Sequence, residues 1–174
     1  REIIGNDENV FDSSSYCIPT STLMRWPFPE YHTHMDNLEI TSQKMIEEQI
    51  QWGLKVVFAL ENDYGVKANY KGIPCLAHPQ VDLYLNTPKV SNIKTDVGEA
   101  VDNCMQELNE EEKVYIQNDP SRLNTFMQKV VRLINGDNTI LDIAEQTQMP
   151  FRFVYEYIKE METKNLVEVT EQVA

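Results

Sequence analysis

The amino-acid sequence predicts an α/β protein in two parts: residues 1–111 mix helices and strands, and residues 112–174 form compact helices and one strand. Apolar residues recur at helical spacing over about residues 43–61, and β-compatible residues recur near 20–25. The first part holds 8 basic and 18 acidic residues, and the second holds 7 and 10. The resulting charges of −10 and −3 indicate two units with different surfaces.

The composition is typical of a globular protein, with 41% hydrophobic and 25% charged residues among 174. A net charge of −13 opposes attraction to nucleic-acid phosphates and to anionic membranes, so we expect neither as a partner. The longest apolar run, residues 56–60, is too short to span a bilayer. The sequence has no pattern of a secretory signal, so we expect a cytoplasmic protein. Because the sequence begins with Arg1, we expect this chain to be a piece of a longer protein.

The three cysteines fit no metal-binding or redox-pair spacing. Cys17, Cys75 and Cys104 stand 58 and 29 residues apart. A sparse, odd number of cysteines favours free thiols in a reducing compartment. We therefore expect each cysteine to be a small buried hydrophobic side chain.

The first part contains one strongly patterned helix between less regular segments. β-compatible residues predict a strand near 20–25, which the Pro-rich residues 26–29 bring to an end. Ser42 is a suitable N-cap for a helix over about residues 43–61, and Gly65 supplies its stop. Alternation over residues 81–85 predicts a second short strand, and the apolar spacing within 98–118 predicts another helix.

The second part has the element order of a winged helix-turn-helix. A helix over about 121–135 ends at the polar residues 135–138, and Thr139 caps a short helix to residue 146. Pro150 then sets the start of a helix to about residue 164, and a strand follows at 166–170. The longer helix after Pro150 carries Arg152 and Lys159 among three glutamates, so we expect packing or dimerisation rather than DNA reading.

Residues 30–37, Glu-Tyr-His-Thr-His-Met-Asp-Asn, concentrate metal-capable and proton-transferring side chains. Two of the three histidines, His32 and His34, lie here with two carboxylates, between the Pro-rich run and the predicted helix. Neutral imidazole is the commonest protein ligand for zinc, and a nearby carboxylate often orients the ring. A metal site is one interpretation, and a surface loop with two incidental histidines is the other.

The order of several short segments resembles a known family. They are Gly5-Asn6-Asp7-Glu8, Ile18-Pro19, Leu23-Met24-Arg25, and Pro29-Glu30-Tyr31-His32-Thr33 followed by Asp36-Asn37-Leu38. Together they resemble a bacterial aminopeptidase-like family that is related to the dinuclear zinc aminopeptidases and has a C-terminal winged-helix domain. Residues 133–137 and 141–144 are similar to the start of that terminal domain. The resemblance implies the C-terminal portion of an α/β/α sandwich followed by a winged helix, with the boundary after residue 111.

The resemblance implies that His32 is a zinc ligand in a site that holds two ions in the intact protein. The remaining ligands and the general base belong to family segments that come before the region represented here. Tyr31 belongs to the same motif, and His34 is a departure from the family pattern.

Four further residues are candidates for positions near the metals or the substrate, each with a structural alternative. Asp36 orients the loop or caps a turn, and Arg25 binds a substrate carboxylate or forms a structural ion pair. Asp7 and Glu8 stand where relatives have an acidic pair lining the cleft, although a loop cap explains them equally well.

We therefore expect the C-terminal part of a zinc-dependent aminopeptidase-like hydrolase that cleaves a peptide or amide bond and is inactive as a fragment. Its expected partners are the substrate, the missing N-terminal catalytic segment and, as a further option, a second copy in a homo-oligomer. The alternatives are a non-catalytic aminopeptidase-like scaffold and an acidic winged-helix regulator.

Overall fold

The computed structural model describes residues 8–84, 99–119 and 121–170, so the candidate Asp7 lies outside the described residues. The fold is a mixture of helices and a small three-stranded antiparallel sheet. In chain order the elements are α1 (Glu8–Phe11), a 3-10 helix (Leu38–Ile40), α2 (Gln43–Asn62), β1 (Gly65–Ala68), α3 (Glu99–Gln106), α4 (Glu110–Gln117), α5 (Ser121–Leu133), β2 (Asn135–Thr139), α6 (Ile140–Thr147), α7 (Phe151–Thr163) and β3 (Val167–Thr170). None of these helices is both long and apolar enough to cross a membrane.

The chain divides into two compact units, Arg1–Val57 and Phe58–Ala174, and helix α2 crosses the division. The domain boundary predicted after residue 111 stays a prediction; it lies inside α4. The acidic residues 110–112 form the first turn of this helix. The side chains of Asn109 and Glu112 cap this turn reciprocally, and negative charge is favourable at a helix N-terminus.

The first unit is organised around α2 and has no core of its own in the part that the structure describes. The helix begins directly after Ser42, whose carbonyl accepts the Ile46 N–H at 3.1 Å, and this confirms the helix predicted over 43–61. Between residues 8 and 57 no residue is buried, and Trp52 is 62% exposed. The apolar residues of α2 before Phe58 are therefore not covered by the described residues of this unit.

The strand predicted near residues 20–25 is wrong. These residues are irregular and largely exposed, and the Leu23 carbonyl accepts a hydrogen bond from the side-chain amide of Gln49 at 2.6 Å. β-compatible residues form a strand only where a neighbouring strand satisfies their backbone, and the described part of this unit contains no strand.

The sheet belongs to the second unit and has the order β2-β1-β3. The central strand, β1, was not predicted, because only its first residue, Gly65, stood out as a helix stop. Polar residues that were expected to end a helix instead form β2, which pairs with β1 through Lys67 and Asn135. On the other side Val66 pairs with Val169 of the predicted and confirmed strand β3. Pairing with a distant segment has therefore overridden the turn-like composition of β2.

Helices α5, α6 and α7 close the core over this sheet, and all three were predicted. The Phe126 ring meets the rings of Phe153 and Tyr157 edge to face, with centroids 5.3 and 5.0 Å apart. Thr139 caps α6 as expected, in a reciprocal arrangement with Asp142. Helix α7 begins directly after Pro150, in agreement with the sequence. The helix expected within 98–118 is confirmed as α3, and a second helix, α4, which begins after the cap at Asn109, was not predicted.

The strand predicted at residues 81–85 is wrong for its described residues, 81–84, which form a loop anchored on α7. The backbone of Asp82 is left-handed, with φ 46°, which breaks any extended run. Leu83 is fully buried and its N–H donates to the Leu76 carbonyl at 2.9 Å. The Tyr157 hydroxyl donates to the Leu83 carbonyl at 3.0 Å. The loop is thus fixed to the core by one buried hydrogen bond.

Two buried tyrosine hydroxyls allow a matched test of this anchor. Replacing Tyr157 with Phe leaves the Leu83 carbonyl buried without its donor, so we expect the free energy of unfolding to fall by about 1–3 kcal/mol. The hydroxyl of Tyr70 is buried and has no hydrogen-bond partner among the described residues. Tyr70→Phe should therefore leave stability unchanged or slightly higher in urea denaturation. Equal losses in the two variants would contradict the anchoring role.

The expectation that all three cysteines are buried holds only for Cys104, because Cys17 and Cys75 are exposed. Burial, with a smaller contribution from the carboxylates of Glu160 and Glu156, raises the pKa of Cys104 to about 12. Since the unfolded thiol ionises near its ordinary pKa of 9.0, the unfolded state releases its proton first. Stability linked to this thiol is therefore present below about pH 9 and is lost as the pH rises towards 12.

This linkage predicts the pH dependence of unfolding. In urea denaturation between about pH 8 and 10.5, the free energy of unfolding of the wild type should fall as the pH rises. The slope of this fall should exceed that of Cys104→Ala by up to about 1.4 kcal/mol per pH unit. Cys75→Ala, which removes an exposed thiol, should keep the wild-type slope. An unchanged slope in Cys104→Ala would show that the thiol ionises equally in both states.

Candidate functional site

The predicted metal loop forms one side of a pocket in the first unit. The pocket has a volume of about 620 Å³ and lies between residues 24–42 and the first two turns of α2. Its lining residues are Met24, Arg25, Pro27, Phe28, Glu30, Asp36, Asn37, Ile40, Thr41, Ser42, Met45, Ile46, Gln49 and Ile50. Two predicted site residues, Arg25 and Asp36, are among them.

Three contacts hold the loop in this shape. Arg25 forms an ion pair with Glu48, and both side chains are about half exposed. Gln49 donates to the Leu23 carbonyl, which ties the chain before the Pro-rich run to α2. Asn37 caps the 3-10 helix by accepting the Glu39 N–H at 2.8 Å. The loop is therefore bound to α2 at its start, and its end is shaped by a local cap.

His32 lies on the outer surface of this loop. It is exposed and its backbone is left-handed, with φ 60°, a conformation that a non-glycine residue adopts only in a few per cent of cases. The Tyr31 ring meets the His32 ring edge to face at 4.1 Å, and Phe28 meets Tyr31 at 5.8 Å. His34, two residues on, is exposed as well. The loop thus presents an exposed imidazole beside the Tyr31 ring, which in turn contacts Phe28.

The other candidates are placed separately. Arg25 is engaged by Glu48, which favours the structural ion pair that was one of its two interpretations. Asp36 lines the pocket, and the neighbouring Asn37, rather than Asp36, supplies the helix cap. Glu8 is the first residue of α1 and is partly buried.

Within the described ranges, no group of three or more histidine, cysteine, aspartate or glutamate side chains is close enough to hold a metal ion. His32 can contribute one ligand, and a stable zinc site needs at least three protein ligands. A zinc site at this loop therefore requires ligands from other parts of the intact protein.

Sequence reasoning missed the pocket and the two α2 residues that secure the loop. Glu48 binds Arg25 while its side chain stays 46% exposed, and no pattern in the sequence indicated this partner. Gln49 gave no signal, because its acceptor is a backbone carbonyl 26 residues away. The apolar pattern of α2 identified Met45, Ile46 and Ile50 as one face, but it could not indicate which segment covers that face.

In the second unit, other elements cover the helix that would read DNA in a winged helix. Helix α3 packs against α7. Arg152 of α7 binds Glu107 at 3.2 Å and Glu156 at 3.0 Å, and its guanidinium lies 4.4 Å from the centre of the Phe58 ring. The remaining cation within α7, Lys159, is 3.7 Å from Glu156. The basic groups of α7 are thus engaged within the protein.

Comparison with protein families gives one match. The family model described as "Domain of unknown function (DUF4910)" matches residues 2–63, about a third of the chain. The matched segment ends one residue after α2, so it takes in the first unit as far as it is described. No curated protein and no solved structure matches the chain.

The packing of α7 predicts that the chain does not bind duplex DNA. Fluorescence anisotropy with a labelled random duplex at about 50 mM salt should show no saturable change, because few cations are available to release counterions. Binding that weakens steeply as salt is raised would contradict this expectation. In that case, weaker DNA binding by Lys159→Glu would show that α7 contacts the DNA.

Proposed function

We propose that the intact protein is a zinc-dependent aminopeptidase-like hydrolase that cleaves a peptide or amide bond. In this proposal the first unit is the C-terminal portion of an α/β/α sandwich, and a small winged helix-turn-helix follows it. The family resemblance of the motif around His32 suggests the activity. The match to a family of unknown function over residues 2–63 does not name an activity, but it marks the same segment as a unit of sequence.

The observation that carries the proposal is the exposed apolar surface of the first unit. Its large exposed hydrophobic residues are Val10, Phe11, Tyr16, Ile18, Leu23, Met24, Trp26, Tyr31, Met35, Leu38, Ile40, Met45, Ile46, Ile50, Trp52, Leu54, Val56 and Val57. The largest apolar patch on a typical monomer is only about 300–600 Å². A segment with this many exposed apolar side chains, and with no buried residue between residues 8 and 57, is best explained as part of a larger domain.

The proposed occupant of this surface is the N-terminal catalytic segment, which would also supply the missing zinc ligands and the general base. His32 would then be one ligand of a site for two zinc ions, with Asp36 near enough in sequence to orient the loop. When bound, zinc supplies a Lewis acid and lowers the pKa of a coordinated water. The Tyr31 ring lies against the His32 imidazole, with centroids 4.1 Å apart.

The order of elements in the second unit supports a winged helix. Helix α5 and strand β2 precede α6 and α7, and β3 returns to the same sheet. The turn between α6 and α7 is tight, with Gln148 in the left-handed conformation. With α7 covered by α3 and Arg152 paired twice, the proposed role of this domain is packing or dimerisation.

A non-catalytic scaffold is the second candidate, and one observation favours it. Arg25, the residue offered for a substrate carboxylate, is occupied by Glu48. An aminopeptidase-like scaffold without metals would keep the pocket and bind a peptide without cleaving it.

Zinc analysis of the intact protein tests the proposal. We expect bound zinc and hydrolysis of aminoacyl amides in the wild type, and loss of at least half of the zinc together with the activity in His32→Ala. His34→Ala is the matched control, because it removes an equally exposed imidazole two residues away, and it should retain both. Unchanged zinc content in His32→Ala would exclude the ligand role, and a metal-free wild type would favour the scaffold.

A further inference from the structure

We propose that Asn135, the first residue of β2, is a site of spontaneous covalent modification. Its side-chain amide cyclises onto the backbone nitrogen of Gly136, and water reopens the ring to aspartate or isoaspartate. Residues 135 and 136 are the one Asn-Gly pair in the sequence, and Asn135 is exposed to solvent. Because the reaction needs neither a metal nor a substrate, this inference goes beyond the proposed function and does not depend on it.

The chemistry has two steps. In the first, the Gly136 nitrogen gives its proton to hydroxide and attacks the side-chain carbonyl carbon, Cγ, of Asn135. The new C–N bond closes a five-membered succinimide, and the bond from Cγ to Nδ2 breaks, so that ammonia leaves. In the second, water adds to one of the two ring carbonyls. Opening at Cγ leaves aspartate, whereas opening at the backbone carbonyl leaves isoaspartate, in which the main chain runs through Cβ and Cγ.

The attacking nitrogen belongs to a residue that does not obstruct it. Gly136 has no side chain and adopts φ 93°, a conformation that residues with a Cβ rarely reach. The pairing between β1 and β2 passes from Lys67 with Asn135 to Gly65 with Thr139, so no residue of β1 is in register with Gly136. The sheet therefore holds Asn135 but leaves the next residue outside the regular ladder.

The Asn135 carbonyl is activated for attack by two hydrogen bonds. Its Oδ1 accepts the Asp137 N–H at 3.0 Å and the Nδ2 of Asn138 at 3.1 Å. Since both neighbours are donors, the hydrogen bonds themselves identify this atom as the oxygen. Donors aimed at a carbonyl oxygen stabilise the negative charge that develops when its carbon is attacked. The leaving group, Nδ2 of Asn135, has no hydrogen bond to any described residue, so its departure breaks none.

The fold holds one of these donors in place. The side-chain amide of Asn138 also donates to the Leu133 carbonyl at 2.9 Å, and its oxygen accepts from Gln146 at 3.2 Å. These contacts orient its NH₂ group towards Asn135 before the reaction begins. An unfolded chain keeps the Asn-Gly pair but loses this orientation, so the folded state should react faster.

The two products affect β2 differently. Aspartate keeps an oxygen that can accept both hydrogen bonds, and bonds to a carboxylate are stronger than bonds to an amide. Isoaspartate adds one methylene group to the main chain directly after the residue that pairs with Lys67. Because the register of a strand is set residue by residue, this insertion disturbs the pairing of β2 with the central strand.

Peptide mass mapping of protein aged at neutral pH in isotopically labelled water tests the site. Asn135 should exchange its amide for a labelled carboxylate at least about tenfold faster than Asn124, which is also exposed but precedes the β-branched Thr125. The folded protein should react faster at Asn135 than the urea-unfolded chain. A rate no higher than at Asn124, or a slower reaction in the folded protein, would overturn the proposal.

Matched variants test the activating donor. Asn138→Ala should slow the reaction at Asn135 by about fivefold in the folded protein, the factor that corresponds to one neutral hydrogen bond, and should leave the unfolded rate unchanged. Asn124→Ala removes an exposed asparagine amide from α5 and should keep the wild-type rate. Circular dichroism confirms that each variant is folded. A wild-type rate in folded Asn138→Ala would contradict the activation.

Urea denaturation separates the two products. Asn135→Asp reproduces the aspartate product and should unfold at the wild-type urea concentration. Aged protein that contains isoaspartate at this position should unfold at a lower urea concentration. Equal midpoints for the isoaspartate form and the wild type would contradict the predicted effect on β2.

Discussion

The second unit depends on the placement of one short segment, residues 63–68, between parts of the chain that lie far away in sequence. The Asp63 carboxylate accepts the Leu141 N–H at 2.8 Å, and the Tyr64 carbonyl accepts the Ile140 N–H at 3.0 Å. These two bonds satisfy donors at the start of α6 that have no partner within the helix. The next four residues form β1, to which both β2 and β3 pair. Without this segment the sheet has no central strand and α6 lacks part of its cap.

The two units differ in how many apolar side chains each buries within itself. The second unit has an aromatic and aliphatic core in which Phe126, Phe153 and Tyr157 are fully buried. The described first unit has a long, well-formed helix and a shaped loop but no buried side chain. Local order there comes from hydrogen bonds, from contacts such as the Arg25–Glu48 ion pair, and from backbone conformation. The described residues of the first unit therefore lack the buried apolar core that stabilises most domains.

What could be predicted from the sequence follows the range of the interactions. Helices α2, α5, α6 and α7 were predicted, because apolar spacing and caps such as Thr139 and Pro150 act within a few residues. Strand β2 was missed because its residues are polar, and β1 was missed because only Gly65 stood out, as a helix stop; both become strands by pairing with segments that are distant in sequence. Residues 20–25 and 81–84 had suitable residues, but they have no partner strand in the part of the chain that the structure describes. The same limit applies to the site: composition located His32 and Asp36, but the pocket arises from a loop folding onto a helix, which no local pattern encodes.

Helix α2 has a consequence for how the protein can be divided in the laboratory. Its first 15 residues belong to one unit and its last turn, from Phe58, belongs to the other, where the Phe58 ring packs against Phe151 and Tyr155. A truncation at the boundary between the units would leave a helix of about 15 residues on one side and a single turn on the other. Isolated helices of that length are marginal in water, and a single turn does not persist. A separable fragment should therefore carry the whole of α2. A fragment of the second unit that includes the complete helix, and with it Phe58, leaves the apolar residues in the first turns of α2 exposed.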